Sequence, residues 1–541
     1  VKFFEFILKE SDAPLSMILF MSMVSGIATA SLLATINAAA EMVSNSESYT
    51  QFFLIYLVLF AIFGYAQNYA LTKTTIGIEH AIRNMRMRVA NKIRLSELRF
   101  IEEVGRSDIY VRLTQDSNLL SESAPILVMA SQSLIITVFS MLYIAWLSLM
   151  ALFFTIIALG TGILTYLSIN QKISAELRLA AAREAEFFDM LDHLLSGFKE
   201  IKLNHRKSHD LFERIEAISN ETEWLKVNVG SQTTITITIA QGSFYLILAL
   251  IVFIVPQFNP TFTDTILKLT SAVLFIMGPI STLVTTLSVL TRTQVAVTNI
   301  YNLEAKLDAA ISDISLDHPF EITPQFNQIE LEEITFCYKD EHNNDLFSIG
   351  PINVTIRRGE LLFIVGGNGS GKSTFLKLLV RLYFPTTGRL YWDDEVIDQT
   401  NYKNYRELFA IIFGDFHLFD RLYGLSAIDK SHLHSLLRLM ALEKKTKYLD
   451  GRFTNLELST GQKKRLAMIA ALLEDKPIYI FDEWAADQDP TFRKYFYEVL
   501  LQDLKAQGKT IIAVTHDDKY FDTADRVLKM EYGKLTNYEK F

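Results

Sequence analysis

The chain has 541 residues, more than one hydrophobic core usually organises, so two folded units joined by a linker are expected. Half of it is hydrophobic, 12% is aromatic and the mean hydropathy is +0.20, a mixture of an oily first half and a polar second half. The net charge of −9 argues against nucleic-acid binding, which needs concentrated positive surface, and the lone Cys337 excludes an internal disulfide framework.

Six apolar stretches reach the about 20 residues that a helix needs to cross a bilayer. They run from Leu15 to Ala40, Phe52 to Thr72, Ala124 to Ala145, Leu147 to Ile169, Thr233 to Val255 and Thr265 to Leu290. The first is too long for a cleaved leader, lacks a convincing cleavage site and is followed by more spans, so it reads as an anchor. Between spans two and three lies "RNMRMRVANKIRLSELRF", and between four and five "GFKEIKLNHRKSHDLFER", both rich in Arg and Lys. The opposite loops are nearly free of them: "EMVSNSESYTQ" has no basic residue, the turn near Trp146 has no charge, and "PQFNPTFTDTILK" carries a single Lys. Positive charge stays inside, so the basic loops, both termini and the polar half are expected in the cytoplasm.

Both basic loops are long, lack Pro and hold little Gly, so they read as membrane helices continuing into the cytosol. "RFIEEVGRSDIYVRL" and "KSHDLFER" lie near their far ends, where a short helix would rest on another domain. "TTITITIA" alternates like a strand but runs into an apolar segment, so a helix is expected, with Thr234 and Thr238 on one face. Asn37, Gln67, Gln132 and Gln241 within or near spans suit a bundle interior or a substrate path equally well.

A charged helix, "NIYNLEAKLDAAI", leads to a polar linker, and from Phe326 short strands alternate with helices in the manner of an α/β domain. The expected division is a membrane domain over 1–305, a linker over 306–325 and the α/β domain over 326–541. Cys337 reads as a packed strand residue. "GGNGSGKST" satisfies G-x-x-x-x-G-K-[ST] between the strand "ELLFIV" and a helix. Its residues Gly366, Gly367, Asn368, Gly369, Ser370, Gly371, Lys372, Ser373 and Thr374 form a phosphate cradle. Backbone N–H groups turn to the phosphates, Lys372 reaches the β and γ oxygens, and the Ser373 hydroxyl ligates Mg²⁺. "KPIYIFDE" is a buried strand ending in Asp482, which would hold the metal's water shell, and Glu483, a general base for the attacking water. "LELSTGQKKRLAMIAALL" opens a helix with Ser459, Thr460, Gly461 and Gln462, an anion site that would face away from the cradle of its own chain.

In these motifs the sequence resembles the ATP-binding cassette (ABC) transporter family, along essentially its whole length. The resemblance implies a polytopic α-helical membrane domain followed by an α/β P-loop cassette, with ATP and Mg²⁺ as its ligands. It implies that two cassettes meet head to tail, so that Ser459, Gly461 and Gln462 of one copy complete the ATP site of another. Tyr338 falls where the family stacks a ring on adenine, His516 where a histidine contacts the γ-phosphate, and "AADQDP" where a loop crosses the cassette interface. Three departures stand out. Thr460 replaces the commoner Gly; Ala486, Asp487, Gln488 and Asp489 replace the usual Ser-Ala-Leu-Asp; and Gly414 takes the place of a glutamine that touches Mg²⁺, leaving Asp415 or a water to make that contact.

"DEWAADQDP" with "FGDFHLFD" resembles the bacterial branch that exports cyclic or lasso peptides, lipopeptides and peptide siderophore precursors. The implied protein is an ATP-driven exporter in the cell inner (plasma) membrane, working as a homodimer among membrane lipids on a peptide-like substrate. A lipid flippase shares this architecture. A regulatory membrane protein with little turnover is a further alternative, motivated by Gly414.

Overall fold

In the computed structural model, which describes residues 2–11, 13–44, 48–254, 263–311, 326–339, 344–425 and 428–538, the chain divides into two compact units. The first gathers Val1–Lys92 with Arg106–Lys306, and the second gathers Ile93–Gly105 with Leu307–Phe541. The expected linker lies outside the described residues from 312 onward; up to Ala310 the chain is still helical.

The first unit is built from helices Leu15–Ser44, Thr50–Leu95, Ser117–Leu147, Leu149–Ser196, His205–Ala249 and Thr263–Ala310, preceded by a short one, Lys2–Glu10. Among the described residues five of these segments are long and apolar enough to span a membrane. The expected fourth span falls on Leu149–Ser196, whose described apolar stretch is confined to Leu149–Thr161. The loop after the fifth span lies outside the described residues as far as 262.

The helices do continue far beyond their apolar stretches. Thr50–Leu95 is one helix of 46 residues, about 70 Å at 1.5 Å per residue, against a hydrocarbon core of about 30 Å. "TTITITIA" is helical, with the Thr234 hydroxyl donating to Gly230 O and that of Thr238 to Thr234 O, each at 2.9 Å. Gln132 donates to Ser25 Oγ at 2.7 Å and Ser271 to Asn37 Oδ1 at 2.9 Å, so these polar groups join one helix to another.

The two chain tips differ from each other. Helix Leu98–Val104 belongs to the second unit, where Leu98 packs on its core and Glu102 bonds to the Lys377 ammonium at 2.9 Å and to the Tyr383 hydroxyl. At the second tip the short helix is Phe198–Leu203, and "KSHDLFER" follows it closely, at the start of His205–Ala249. The chain turns there because Asn204 caps the next helix, its Oδ1 accepting from the N–H groups of Arg206 and Lys207 at 3.1 and 3.2 Å.

The second unit contains strands β1 (Gln328–Lys339), β2 (Asp345–Arg357), β3 (Leu361–Val365), β4 (Thr387–Trp392), β5 (Glu395–Val396) and β6 (Phe409–Ile412). Further on come β7 (Tyr448–Leu449), β8 (Arg452–Phe453), β9 (Ile478–Asp482), β10 (Thr510–Val514), β11 (Arg526–Glu531) and β12 (Lys534–Asn537). One sheet runs β12-β11-β3-β10-β9-β6, parallel except for β12, and a smaller antiparallel sheet runs β2-β1-β4-β5. Strands β3, β9 and β10 are buried along their whole length, as parallel strands covered on both faces must be. Alternation then divides their side chains between two cores: Leu362, Ile364, Ile480 and Ile512 on one face, Leu361, Phe363, Phe481 and Ile511 on the other. Cys337 is half-buried on β1 and unbridged.

Candidate active site

The parallel strands end side by side, and the expected catalytic residues emerge from those ends. After β3 the chain turns through Gly366 to Gly371 into helix Lys372–Leu379. Gly366 has φ +150°, and a Cβ there would stand 2.2 Å from Met530 O, so no side chain is possible. The Lys372 ammonium is 5% exposed and donates to Gly366 O at 2.8 Å and Gly367 O at 3.0 Å. Ser370 Oγ is buried and has no hydrogen-bond partner among the described residues.

Asp482 ends β9, and its Oδ2 accepts from the Ser373 hydroxyl at 3.0 Å. Burial pushes its carboxyl above the ordinary carboxylate range, while the Ser373 hydroxyl and the Gly414 backbone N–H favour the charged form. The next residue, Glu483, is left-handed at φ 50°, a conformation that costs a non-glycine residue about 1–2 kcal/mol. The turn throws its carboxylate toward the cradle: Oε1 lies 3.6 Å from Lys372 Nζ and 3.1 Å from His516 Nε2, two residues beyond β10. Tyr338 is close by, its hydroxyl 3.2 Å from Thr374 Oγ1, with its ring edge-on to Phe336 and Tyr383.

Gly414 follows β6. A Cβ there would meet nothing nearer than Asp482 Oδ2 at 3.9 Å, so a larger residue has room, and the contact it now makes with Asp482 is through its backbone. Asp415 is exposed.

Ser459, Gly461 and Gln462 make their hydrogen bonds elsewhere. Ser459 caps helix Thr460–Glu474: its Oγ accepts from Gln462 N–H at 3.4 Å, and Gln462 Oε1 accepts from Ser459 N–H at 3.2 Å. Gly461 is pressed against the interface loop, where a Cβ would lie 2.4 Å from Asp487 O. Its carbonyl accepts from Gln488 Nε2 at 3.1 Å, and Gln488 Oε1 accepts from Arg465 Nε at 2.8 Å. Arg465 also pairs with Asp489 at 2.6 Å. The unusual loop residues therefore bind the helix that Ser459 opens. Sequence reasoning missed this, since Lys464 and Arg465 look like a solvated charge run; the two polar departures opposite them were the available signal.

The chain matches the ABC transporter family over residues 349–486 and the ABC transporter transmembrane region over residues 15–280. It is 32% identical over 540 residues to the ATP-binding protein SyrD of Pseudomonas syringae pv. syringae, with 96% of this chain and 93% of that protein covered. The chain belongs to the ABC transporter family. This ABC transporter is also 22% identical over 531 residues to the ATP-dependent lipid A-core flippase of Methylobacillus flagellatus, covering 93% and 87% of the two chains. Its fold matches that of a bacterial Atm1-family ABC exporter with ATP bound, at a TM-score of 0.77 and 16% identity over 96% of this chain and 93% of that one. It is a half-size ABC exporter, a helical membrane domain fused to one ATP-binding domain, and its ATPase activity drives transport.

Proposed function

We propose that two copies of this exporter form a homodimer in the bacterial inner membrane, with both termini and the cassettes in the cytoplasm. ATP hydrolysis then drives outward movement of a peptide-like substrate: a cyclic or lasso peptide, a lipopeptide or a peptide siderophore precursor. The observation that carries the reading is the division of labour within one chain. Lys372, Ser373, Asp482, Glu483 and His516 converge at the strand ends, while Ser459 and Gln462 are bonded elsewhere. Such a chain supplies one half to each of two composite sites.

The residues fit their ligands. The Ser370 hydroxyl, unpartnered among the described residues, and the ammonium of Lys372 are donors suited to phosphate oxygens. The oxygens of Ser373 and Asp482 suit a hard cation that keeps its other positions for water and phosphate. Mg²⁺ bound there would neutralise charge on the phosphates. Lys372 leaves its loop carbonyls for the β and γ oxygens, Tyr338 is close enough to the cradle to swing onto an adenine, and Glu483 accepts the proton of the attacking water. His516, already beside Glu483, orients that carboxylate and reaches the γ-phosphate.

The peptide-like cargo rests on "DEWAADQDP" and "FGDFHLFD", and a flippase reading is favoured by the lipid A-core relative, though at 22% identity against 32% for SyrD. Vesicle-reconstituted protein separates them. Cyclic lipopeptides are expected to stimulate ATP turnover severalfold, and lipid A-core to leave it unchanged; the reverse pattern makes the protein a flippase.

A further inference from the structure

Lys464 lies on the helix that Ser459 opens, five residues from that cap, and is only 3% exposed. Its ammonium does not face solvent. It donates to the backbone carbonyl of Glu483 at 2.8 Å and pairs with Asp487 Oδ2 at 2.7 Å. Its own carbonyl accepts from the indole N–H of Trp484 at 2.9 Å, and that buried ring stacks on Phe496 with centroids 4.6 Å apart. One lysine thus holds Glu483, the left-handed residue whose turn aims the carboxylate, together with Trp484 and Asp487 that follow it. A buried ammonium is tolerated only where it is paired, so the turn and the loop at Asp487 are the two anchors that keep it there.

A phosphate cradle needs none of this. Lys372, Ser373 and Asp482 make their contacts without Lys464. What Lys464 adds is a rigid link between the proposed catalytic base and the helix whose N-terminus carries Ser459. In the homodimer proposed above, that N-terminus serves the nucleotide of the other site. A shift of the helix on closure over one nucleotide therefore moves the carbonyl of Glu483, and with it the base of the other site.

We propose that Lys464 is a positioning residue for Glu483 and the tie through which each ATP site sets the catalytic competence of the other. It rests on the dimeric reading. It also accounts for Asp487, one of the departures in the interface loop, since the alanine usual at that place could not hold the ammonium.

The test uses full-length protein in lipid nanodiscs, with turnover measured against Mg-ATP concentration for wild type, Lys464→Met, Lys464→Arg and Asp487→Asn. Methionine fills the buried space without charge, and Asp487 is exposed enough to be hydrated when left alone, so the fold should survive. Misplacement of a reacting group by about 1 Å costs about a hundredfold in rate. Lys464→Met should lose about that much in kcat, with KM and the melting temperature little changed and the Hill coefficient falling towards one. Lys464→Arg should recover part of the rate, and Asp487→Asn, which keeps the bond to Glu483, should lose less than Lys464→Met. Wild-type kcat and Hill coefficient in Lys464→Met overturn the proposal alone. A parallel fall in nucleotide binding and melting temperature, without rescue by Arg, reduces Lys464 to a packing residue and overturns it too. Absence of turnover in wild type would instead sink the exporter reading, and this proposal with it.

Discussion

The loop at Gly366 and the loop at Ser459 are both glycine-bearing entries to helices, and both read as anion sites, yet their surroundings differ. Around the first, the ends of three parallel strands, β3, β9 and β10, bring an ammonium within 3.6 Å and an imidazole within 3.1 Å of one carboxylate, and a hydroxyl within 3.0 Å of a second. Around the second, Ser459 and Gln462 are spent on the helix cap, and Gln488 and Arg465 join the helix to the interface loop. The first loop comes with the proposed catalytic residues and the second with hydrogen bonds to the interface loop. On the dimeric reading proposed above, the second loop acts on chemistry performed elsewhere.

The sharpest way to break that contrast is Glu483→Gln, which keeps size and hydrogen bonding and removes proton acceptance. Turnover should fall about 10² to 10⁴-fold, with ATP affinity retained, measured as phosphate release and nucleotide binding in vesicles. Turnover at the wild-type rate would show that the apparatus at the first loop lacks its assigned base. Ser459→Arg comes next. It should abolish ATP-dependent crosslinking between cassettes and most of the turnover, while nucleotide binding at the cradle persists. Persistence of crosslinking would make the second loop a structural cap and nothing more.

The smallest effect is expected from Gly414→Gln. The backbone accepts a Cβ there, since nothing lies nearer than 3.9 Å, and Asp482 keeps its bond to Ser373. Basal ATP turnover should change little and substrate stimulation should change more, a split read from the same vesicle assay. A basal rate raised about a hundredfold, the scale of one correctly placed catalytic group, would show the cradle to be incomplete as it stands.

The cradle was legible because its motif is local: a strand, a fixed glycine spacing, and a helix that begins at Lys372. The long helices were legible for the converse reason, the lack of Pro and the scarcity of Gly where hydropathy changes. The second tip was legible to within a few residues, since the short helix Phe198–Leu203, bracketed by Gly197 and Asn204, lies just before the charged segment. Lys464 was illegible because its partners lie across a turn distant in sequence, and burial of a lysine depends on those partners alone. The rings of Tyr338 and Tyr383 and the position of Glu102 likewise depend on long-range packing.

The attachment of Leu98–Val104 within the second unit has a consequence for the chain's connectivity. The polypeptide enters that unit twice, first through Ile93–Gly105 and again from Leu307 onward. The earlier passage is fixed there by side chains as well as by the main chain, with Glu102 held by Lys377 and Tyr383. A single change at Glu102 therefore takes an acceptor from a lysine and from a tyrosine of the second unit at once.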